Sequence, residues 1–279
     1  MVRCGRPARA FISLRRLIIR PGGIGDCILS LPAIEHLRAD DTEVWVPSAV
    51  VPLIRFAQVR AIASTGIDLL GIPGVEPPAS LIETLGSFDS IVSWYGANRP
   101  EFCKAVRARG LPAQFLDALP SGGKTHAADF FLQQAGGTGA AVPRIQCFTI
   151  ERGNFAVIHP FSGSPRKNWP LECFREVARR LPIPVRWCAG PEESLEGAVR
   201  FDNLYELGCW LAGAQIYIGN DSGITHLAAA VGTPVVAIFG PTDPAVWAPR
   251  GDRVSVLSAR QSDDVTVENV LDAARVFSG

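Results

Sequence analysis

Gln215-Ile-Tyr-Ile-Gly219 runs into Asn220-Asp-Ser-Gly223, then Ile224-Thr-His-Leu-Ala-Ala-Ala-Val231, Gly232-Thr233, Pro234-Val-Val-Ala-Ile-Phe-Gly240 and Pro241-Thr-Asp-Pro244. Ile216 and Ile218 lie in a β-branched run of strand length, and Pro234 to Phe239 is a second apolar run of the same kind. Between them Asp221 or Ser222 is a good N-cap, Leu227 to Val231 favours a helix, and Gly232 stands where a C′ glycine ends one. Two apolar strands joined by one short helix form a βαβ unit, which requires a parallel sheet. The turn Asn220–Gly223 leaves main-chain N–H groups unpaired at a helix start, and Gly223 lets a ligand approach the backbone. That is a site shaped for phosphate.

A second glycine turn opens the chain. Arg16 to Arg20 reads as a first strand, followed by Pro21-Gly-Gly-Ile-Gly-Asp26 and a helix predicted over Cys27–Leu37. Gly23 and Gly25 fit the first two glycines of a dinucleotide fingerprint, but Ile28 occupies the third position, which argues against NAD. Asp26 either caps the helix or presents a carboxylate at the mouth of the sheet. Further strands are predicted at Glu43–Val46, Arg60–Ser64 and Ser90–Tyr95, with helices at Ser80–Leu85, Pro100–Arg109 and Lys124–Gln134. Arg99, Lys104, Arg107 and Arg109 make a basic face, either solvated surface or a contact for an anionic acceptor.

Gly136–Gly139 with Val142-Pro143 is a small, Gly-rich, Pro-ended linker. It divides the chain into domains 1–148 and 149–279, with the last helix expected to pack back on the first domain. The second domain opens with a strand at Phe155–His159 and a loop through Lys167 to Pro170, which is expected at N1 of a helix over Leu171–Leu181. Lys167 is one of only three lysines against twenty-four arginines. A lysine between strand end and helix start is either exposed or a mobile point charge for a diphosphate. Strand Val185–Cys188 ends in Ala-Gly-Pro-Glu-Glu, so Glu192 or Glu193 is either a helix-start carboxylate or an acceptor for ribose hydroxyls.

Bulk properties narrow the rest. The 279 residues are 47% apolar, which fits a buried α/β core and excludes a disordered chain. Net charge is zero, with a +3 balance over residues 1–150 and −3 over 151–279. That asymmetry is too mild to indicate nucleic acid as a partner. No apolar run reaches membrane-spanning length, and Ala10–Leu14 is too short for a signal peptide. Five arginines among the first sixteen residues are either a frayed basic start or a contact with anionic head groups. Seven scattered cysteines without Cys-x-x-Cys point to reduced thiols of a cytosolic protein.

Arg20-Pro-Gly-Gly-Ile-Gly-Asp26 with Leu31-Pro32, Lys167-Asn-Trp-Pro170, Gly219-Asn-Asp-Ser-Gly-Ile-Thr-His-Leu-Ala-Ala-Ala230 and Phe239-Gly-Pro-Thr-Asp-Pro244 together resemble glycosyltransferase family 9, the ADP-heptose:lipopolysaccharide heptosyltransferases and their relatives. The likeness is dense in the second domain and confined to the opening turn in the first. It implies an α/β fold of GT-B type: two Rossmann-like domains with parallel sheets facing a central cleft. On matching positions it implies Asp26 as general base, Lys167 on the diphosphate, and Asp221, Ser222, Gly223 and His226 at the donor turn. Glu193, or Glu192, would stand at the ribose, with Gly23, Gly25, Ser162 and Leu204 completing the donor set. Arg99 and Lys104 are the acceptor candidates. The partners implied are a nucleotide sugar, ADP-heptose favoured, and a glycolipid or other glycan acceptor. A glycolipid would bring a cytoplasmic protein to the inner face of the bacterial cytoplasmic membrane.

The chemistry these positions support is inverting displacement at the anomeric carbon. Lys167 and the N–H groups of Ser222 to Ile224 stand where leaving-group charge would grow. The chain has no Asp-x-Asp, so neither a metal nor another cofactor is expected. His226, in the first turn of its helix, is expected neutral because the helix dipole disfavours imidazolium.

Overall fold

The computed structural model describes residues 13–120, 123–148, 153–258 and 264–277. The arginine-rich opening lies outside the described residues as far as residue 12. In chain order the first half comprises β1 (Arg15–Ile19), α1 (Ile24–Leu29), α2 (Leu31–His36), β2 (Asp41–Val46), β3 (Gln58–Ala61), α3 (Ala79–Gly86), β4 (Ser90–Ser93), α4 (Pro100–Ala108), β5 (Ala113–Phe115) and α5 (Ala127–Gln134). The second comprises β6 (Ala156–His159), α6 (Leu171–Arg180), β7 (Val185–Trp187), α7 (Leu204–Ala212), β8 (Ile216–Asn220), α8 (Gly223–Ala230), β9 (Val235–Phe239), α9 (Pro244–Trp247), β10 (Val254–Ser258) and α10 (Val267–Arg275).

Two five-stranded sheets result, ordered β3-β2-β1-β4-β5 and β10-β9-β8-β6-β7, with every pairing parallel. The strand order reverses between β1 and β4 in the first sheet and between β6 and β8 in the second. Open α/β sheets bind ligands beyond the carboxyl ends of strands at such points. Strands β8 and β9 are buried along their whole length, which explains their unbroken apolar runs. The expected two Rossmann-like sheets are therefore present.

Several local expectations shift. The helix expected over 27–37 is two helices meeting at Ser30. Pro32 lacks the N–H a continuous helix needs and would clash with the carbonyl four residues back. The strand expected over Arg60–Ser64 lies earlier, at Gln58–Ala61, and Ile62–Ser64 closes into a 3₁₀ turn. The helix expected from Lys124 begins at Ala127, because His126 Nδ1 accepts from Ala128 N–H at 3.2 Å and caps it. Pro170 is the N-cap residue of α6 rather than its first helical residue.

The last helix does not return to the first sheet. Val270, Leu271 and Ala274 of α10 are buried with Trp169, Phe174, Val177, Ile216, Ile218, Val236 and Ile238, so α10 covers the second sheet beside α6. The stripe at i, i+1 and i+4 is one helical face.

The two sheets share a core. One apolar cluster runs from Ile18, Val44 and Val92 through α1, α2 and α5 to Leu211, Ala228, Val157 and Tyr217. At its edge α1 and α8 meet with almost no space between them. A Cβ on Gly223 would lie 2.7 Å from Ile24 Cβ, and one on Gly25 would lie 2.9 Å from His226 Cδ2. Main-chain atoms of the two helix starts therefore approach across the boundary between the sheets. Farther out, Arg250 of the second half forms a bidentate ion pair with Asp129 on α5, Nη2–Oδ2 at 2.6 Å. Among the described residues no helix is long and apolar enough to cross a membrane.

Candidate active site

A cleft of about 700 Å³ opens where strand ends of the two sheets face each other. The first half contributes Gly23, Ile24, Gly25 and Asp26 from the start of α1. The second contributes Ser162, Gly163 and Lys167 after β6, Cys188 to Pro191 with Glu193 after β7, and Asp221 to Ile224 with His226 after β8. His159 at the end of β6, Phe201, Asp202, Leu204 and Leu207 at and before α7, Thr242 and Trp247 after β9, and Leu29, Ala49 and Leu119 of the first half complete the wall. Both switch points therefore open into one space.

The turn after β8 is built to keep its amides free. Ser222 caps α8 with its own hydroxyl, which accepts from Thr225 N–H. No described residue accepts from the N–H groups of Ser222, Gly223 or Ile224. These first-turn groups have no intrahelical partner and carry the positive end of the helix dipole. Asn220, fully buried, fixes the neighbouring loop: its Oδ1 accepts from Trp169 N–H at 2.9 Å and its Nδ2 donates to Pro160 O at 2.8 Å. That holds both ends of the segment carrying Lys167.

Lys167 Nζ lies 2.7 Å from Asp221 Oδ2, and the Asp221 side chain is only 7% exposed. Asp221 thus holds the ammonium rather than meeting an anion itself. Ser162 Oγ lies 2.8 Å from Ser164 O and 2.7 Å from Asn168 Oδ1, so it closes its own loop at the rim of the cleft.

The choice between Glu192 and Glu193 is decided by the turn at Gly190-Pro191. Glu193 folds back, its Oε2 accepting from Gly190 N–H at 2.6 Å, and lines the cleft. Glu192 is exposed and does not line it. Neither Arg99 nor Lys104 lines the cleft. Arg99 is committed elsewhere, donating to Tyr95 Oη at 2.7 Å with its guanidinium against the Tyr95 and Phe102 rings.

Asp26 combines the two readings left open for it. Its Oδ2 accepts from Gly23 N–H at 3.0 Å, bracing the first turn of α1, while the side chain lines the cleft. The anchoring uses one oxygen, and Oδ1 has no hydrogen-bond partner among the described residues. Gly22, at φ 118°, makes the turn that only glycine readily adopts. Beneath it, Arg20 is 1% exposed and donates to Asp26 O, Ser30 Oγ and Ala118 O, with Phe131 against its guanidinium. Sequence reading left Arg20 as a strand terminus, and its three partners are too far apart in the chain for spacing to reveal them.

His226 is neutral, as expected, but the main cause is burial rather than the helix dipole. Burial lowers its pKa to about 4, opposed by Asp221 and Asp26 and reinforced by His126 and Lys167. Its Nδ1 is buried without a partner among the described residues. An unfolded histidine titrates near 6.5, so between that value and 4 the unfolded chain binds more protons and stability rises with pH. The contribution is fully present above pH 6.5 and is lost as pH falls toward 4. From pH 7.5 to pH 5 this residue is expected to remove about 2 kcal/mol, measured by urea unfolding. His226→Gln should shrink the pH-dependent loss by about that amount. Identical pH dependence in both proteins would contradict this.

Among the described residues no group of three or more His, Cys, Asp or Glu side chains is arranged to hold a metal ion.

The model of glycosyltransferase family 9 (heptosyltransferase) matches residues 124–273, more than half of the chain. Lipopolysaccharide heptosyltransferase 3 of Escherichia coli is 40% identical over 79 residues, 28% of this chain and 21% of that protein. Lipopolysaccharide heptosyltransferase 1 of E. coli O18:K1:H7 is 28% identical over 160 residues, 45% of this chain and 46% of that protein. The chain thus spans less than half the length of these curated relatives. In fold it resembles a glycosyl transferase family 9 structure from Veillonella parvula (TM-score 0.74, 18% identity, 95% and 97% of the two chains). It also resembles E. coli heptosyltransferase WaaC with ADP (0.66, 19%, 95% and 100%). A third likeness is the iron-containing dodecameric glycosyltransferase TibC of enterotoxigenic E. coli (0.62, 15%, 96% and 77%). On the family match, which takes in α5 and every strand of the second sheet with the turns after β6, β7 and β8, the chain belongs to glycosyltransferase family 9.

Proposed function

We propose that the cleft binds a nucleoside diphosphate sugar, ADP-heptose favoured, and transfers the sugar with inversion to a hydroxyl of a lipopolysaccharide-type or other glycan acceptor, without a metal ion. The observation that carries this reading is that a carboxylate from one sheet and an amide-and-ammonium cradle from the other line the same cleft. The nucleotide preference is supported by the ADP complex of a fold relative. Family membership supports the transfer of a heptose or a related sugar.

The acceptor oxygen attacks the anomeric carbon as the bond from that carbon to the diphosphate oxygen breaks. The acceptor proton passes to Asp26, and the bonding pair leaves on the nucleoside diphosphate. A single displacement from the opposite face inverts the anomeric centre. Charge growing on the leaving oxygens meets Lys167 and the amides of Ser222, Gly223 and Ile224, fixed before the reaction begins. Any carboxylate is a weak base toward an alcohol. An electrophilic, oxocarbenium-like carbon needs only a weak base, with proton removal late. Acceptor handling would fall to the first 123 residues, which the family match does not reach. A glycolipid acceptor would bring the protein to the inner face of the cytoplasmic membrane.

The test is acceptor-dependent release of nucleotide from ADP-heptose, with GDP and UDP sugars as separate arms and heptose-deficient lipopolysaccharide core as acceptor. Release from ADP-heptose, unchanged by EDTA, is the expected result. Release from a GDP or UDP sugar instead would reassign the donor, and no release from any donor would remove the transferase reading. Because TibC is iron-containing, the EDTA arm matters: activity lost to EDTA and restored by a divalent cation would refute metal independence.

A further inference from the structure

His159 ends β6 at the switch point of the second sheet and is 3% exposed. Its Nε2 lies 2.9 Å from Glu193 Oε2, the same oxygen that accepts from Gly190 N–H at 2.6 Å. Its Nδ1 is buried and has no partner among the described residues. An imidazole with one engaged nitrogen, facing a carboxylate, is best satisfied with its proton on Nε2. The bare Nδ1 then forgoes an acceptor's bond instead of burying a second N–H. The ring therefore has one polar task, which is to donate to Glu193. Both bonds fall on Oε2, so Glu193 Oε1 is left without a hydrogen-bond partner among the described residues, on a side chain that lines the cleft.

We propose that His159 is a positioning residue that makes the cleft selective for ribonucleotides: by pinning Glu193 Oε2, it aims Oε1 at the ribose hydroxyls of the bound nucleotide. The inference rests on the nucleotide-sugar reading of the cleft and extends it to a residue that lines the same cleft and acts through Glu193. A carboxylate's terminal torsion is broad, so one anchored oxygen is what gives the other a fixed direction. Burial would raise the pKa of Glu193, but hydrogen bonds from His159 and Gly190 hold it below the usual carboxylate range. It can then only accept, and a sugar lacking the hydroxyl leaves Oε1 desolvated and unpaired.

The test is calorimetric titration of the whole chain with ADP, 2′-deoxy-ADP and 3′-deoxy-ADP, in wild type, His159→Phe and His159→Gln. Wild type should bind ADP at least about tenfold more tightly than one of the deoxy nucleotides. His159→Phe keeps a ring but no donor, and should cut that ratio below about threefold while still binding ADP. His159→Gln can return an N–H toward Glu193 and should restore most of the ratio. If the phenyl ring unfolds the protein, His159→Asn, too short to reach Glu193, makes the same comparison. A ratio unchanged in the donor-less variants, or equal binding of all three nucleotides by wild type, overturns the inference and leaves the nucleotide site standing. No binding of any of the three overturns both.

Discussion

Asp26→Asn is expected to lower turnover with saturating donor and acceptor by about 100- to 10,000-fold, the usual span for losing a positioned general base. The affinity for ADP, read by calorimetry, should stay within roughly threefold, because on the proposed reading the diphosphate and ribose contacts at Lys167, Ser222–Ile224 and Glu193 come from the other sheet. Asparagine suits the question better than alanine. Its amide oxygen can still accept from Gly23 N–H, so the contact that braces the start of α1 survives. Alanine would remove the base and loosen the Gly22–Ile24 turn together, and a lost activity could then be blamed on either. Turnover within about tenfold of wild type would take Asp26 out of the proton-transfer role.

Lys167→Met should act on two observables at once. Among the described residues lining the cleft Lys167 is the one Lys or Arg, and a charge-assisted contact to a phosphate contributes about 1.5–3 kcal/mol. ADP affinity is therefore expected to fall by about 10- to 100-fold. The same change strands Asp221, whose side chain is 7% exposed and whose carboxylate has Lys167 as its ion-pair partner. Breaking a buried pair is costly, but Lys167 is itself 33% exposed, which screens the pair, so about 1–2 kcal/mol of stability should be lost. Adding Asp221→Asn removes the stranded charge. The double variant should regain most of the stability and none of the ADP affinity. If it regains affinity too, Lys167 acts on the nucleotide only by neutralising Asp221. If the single variant binds ADP as wild type does, the lysine has no part in the cradle.

What could be read beforehand follows from how far apart the cooperating residues lie. The turn Asn220–Gly223 and the helix it starts are contiguous, and a strand, a capping serine and a glycine in sequence leave one local geometry. Lys167 was legible for the same reason, lying between a strand end and a helix start. Glu192 and Glu193 are adjacent and chemically equal in the chain. Only the fold-back onto Gly190 separates them. His159 reads in the sequence only as the end of the strand Phe155–His159, since its partner is 34 positions away. Arg20 was hidden by the same kind of distance, with Ala118 O 98 positions off. The break between α1 and α2 is marked in the sequence by Pro32. The course of α10 was not legible: an apolar stripe says that a helix packs, not on which sheet. Arg99 and Lys104 illustrate the opposite hazard, a basic face in the sequence that lies away from the cleft in space.

The most direct measurement is a crystal structure of the protein with ADP and a glycan acceptor. The β-phosphate should lie within hydrogen-bond distance of Lys167 and the N–H groups of Ser222 to Ile224, the ribose against Glu193, and the acceptor hydroxyl beside Asp26 Oδ1. ADP bound outside the cleft, or the acceptor hydroxyl out of reach of Asp26, would contradict it.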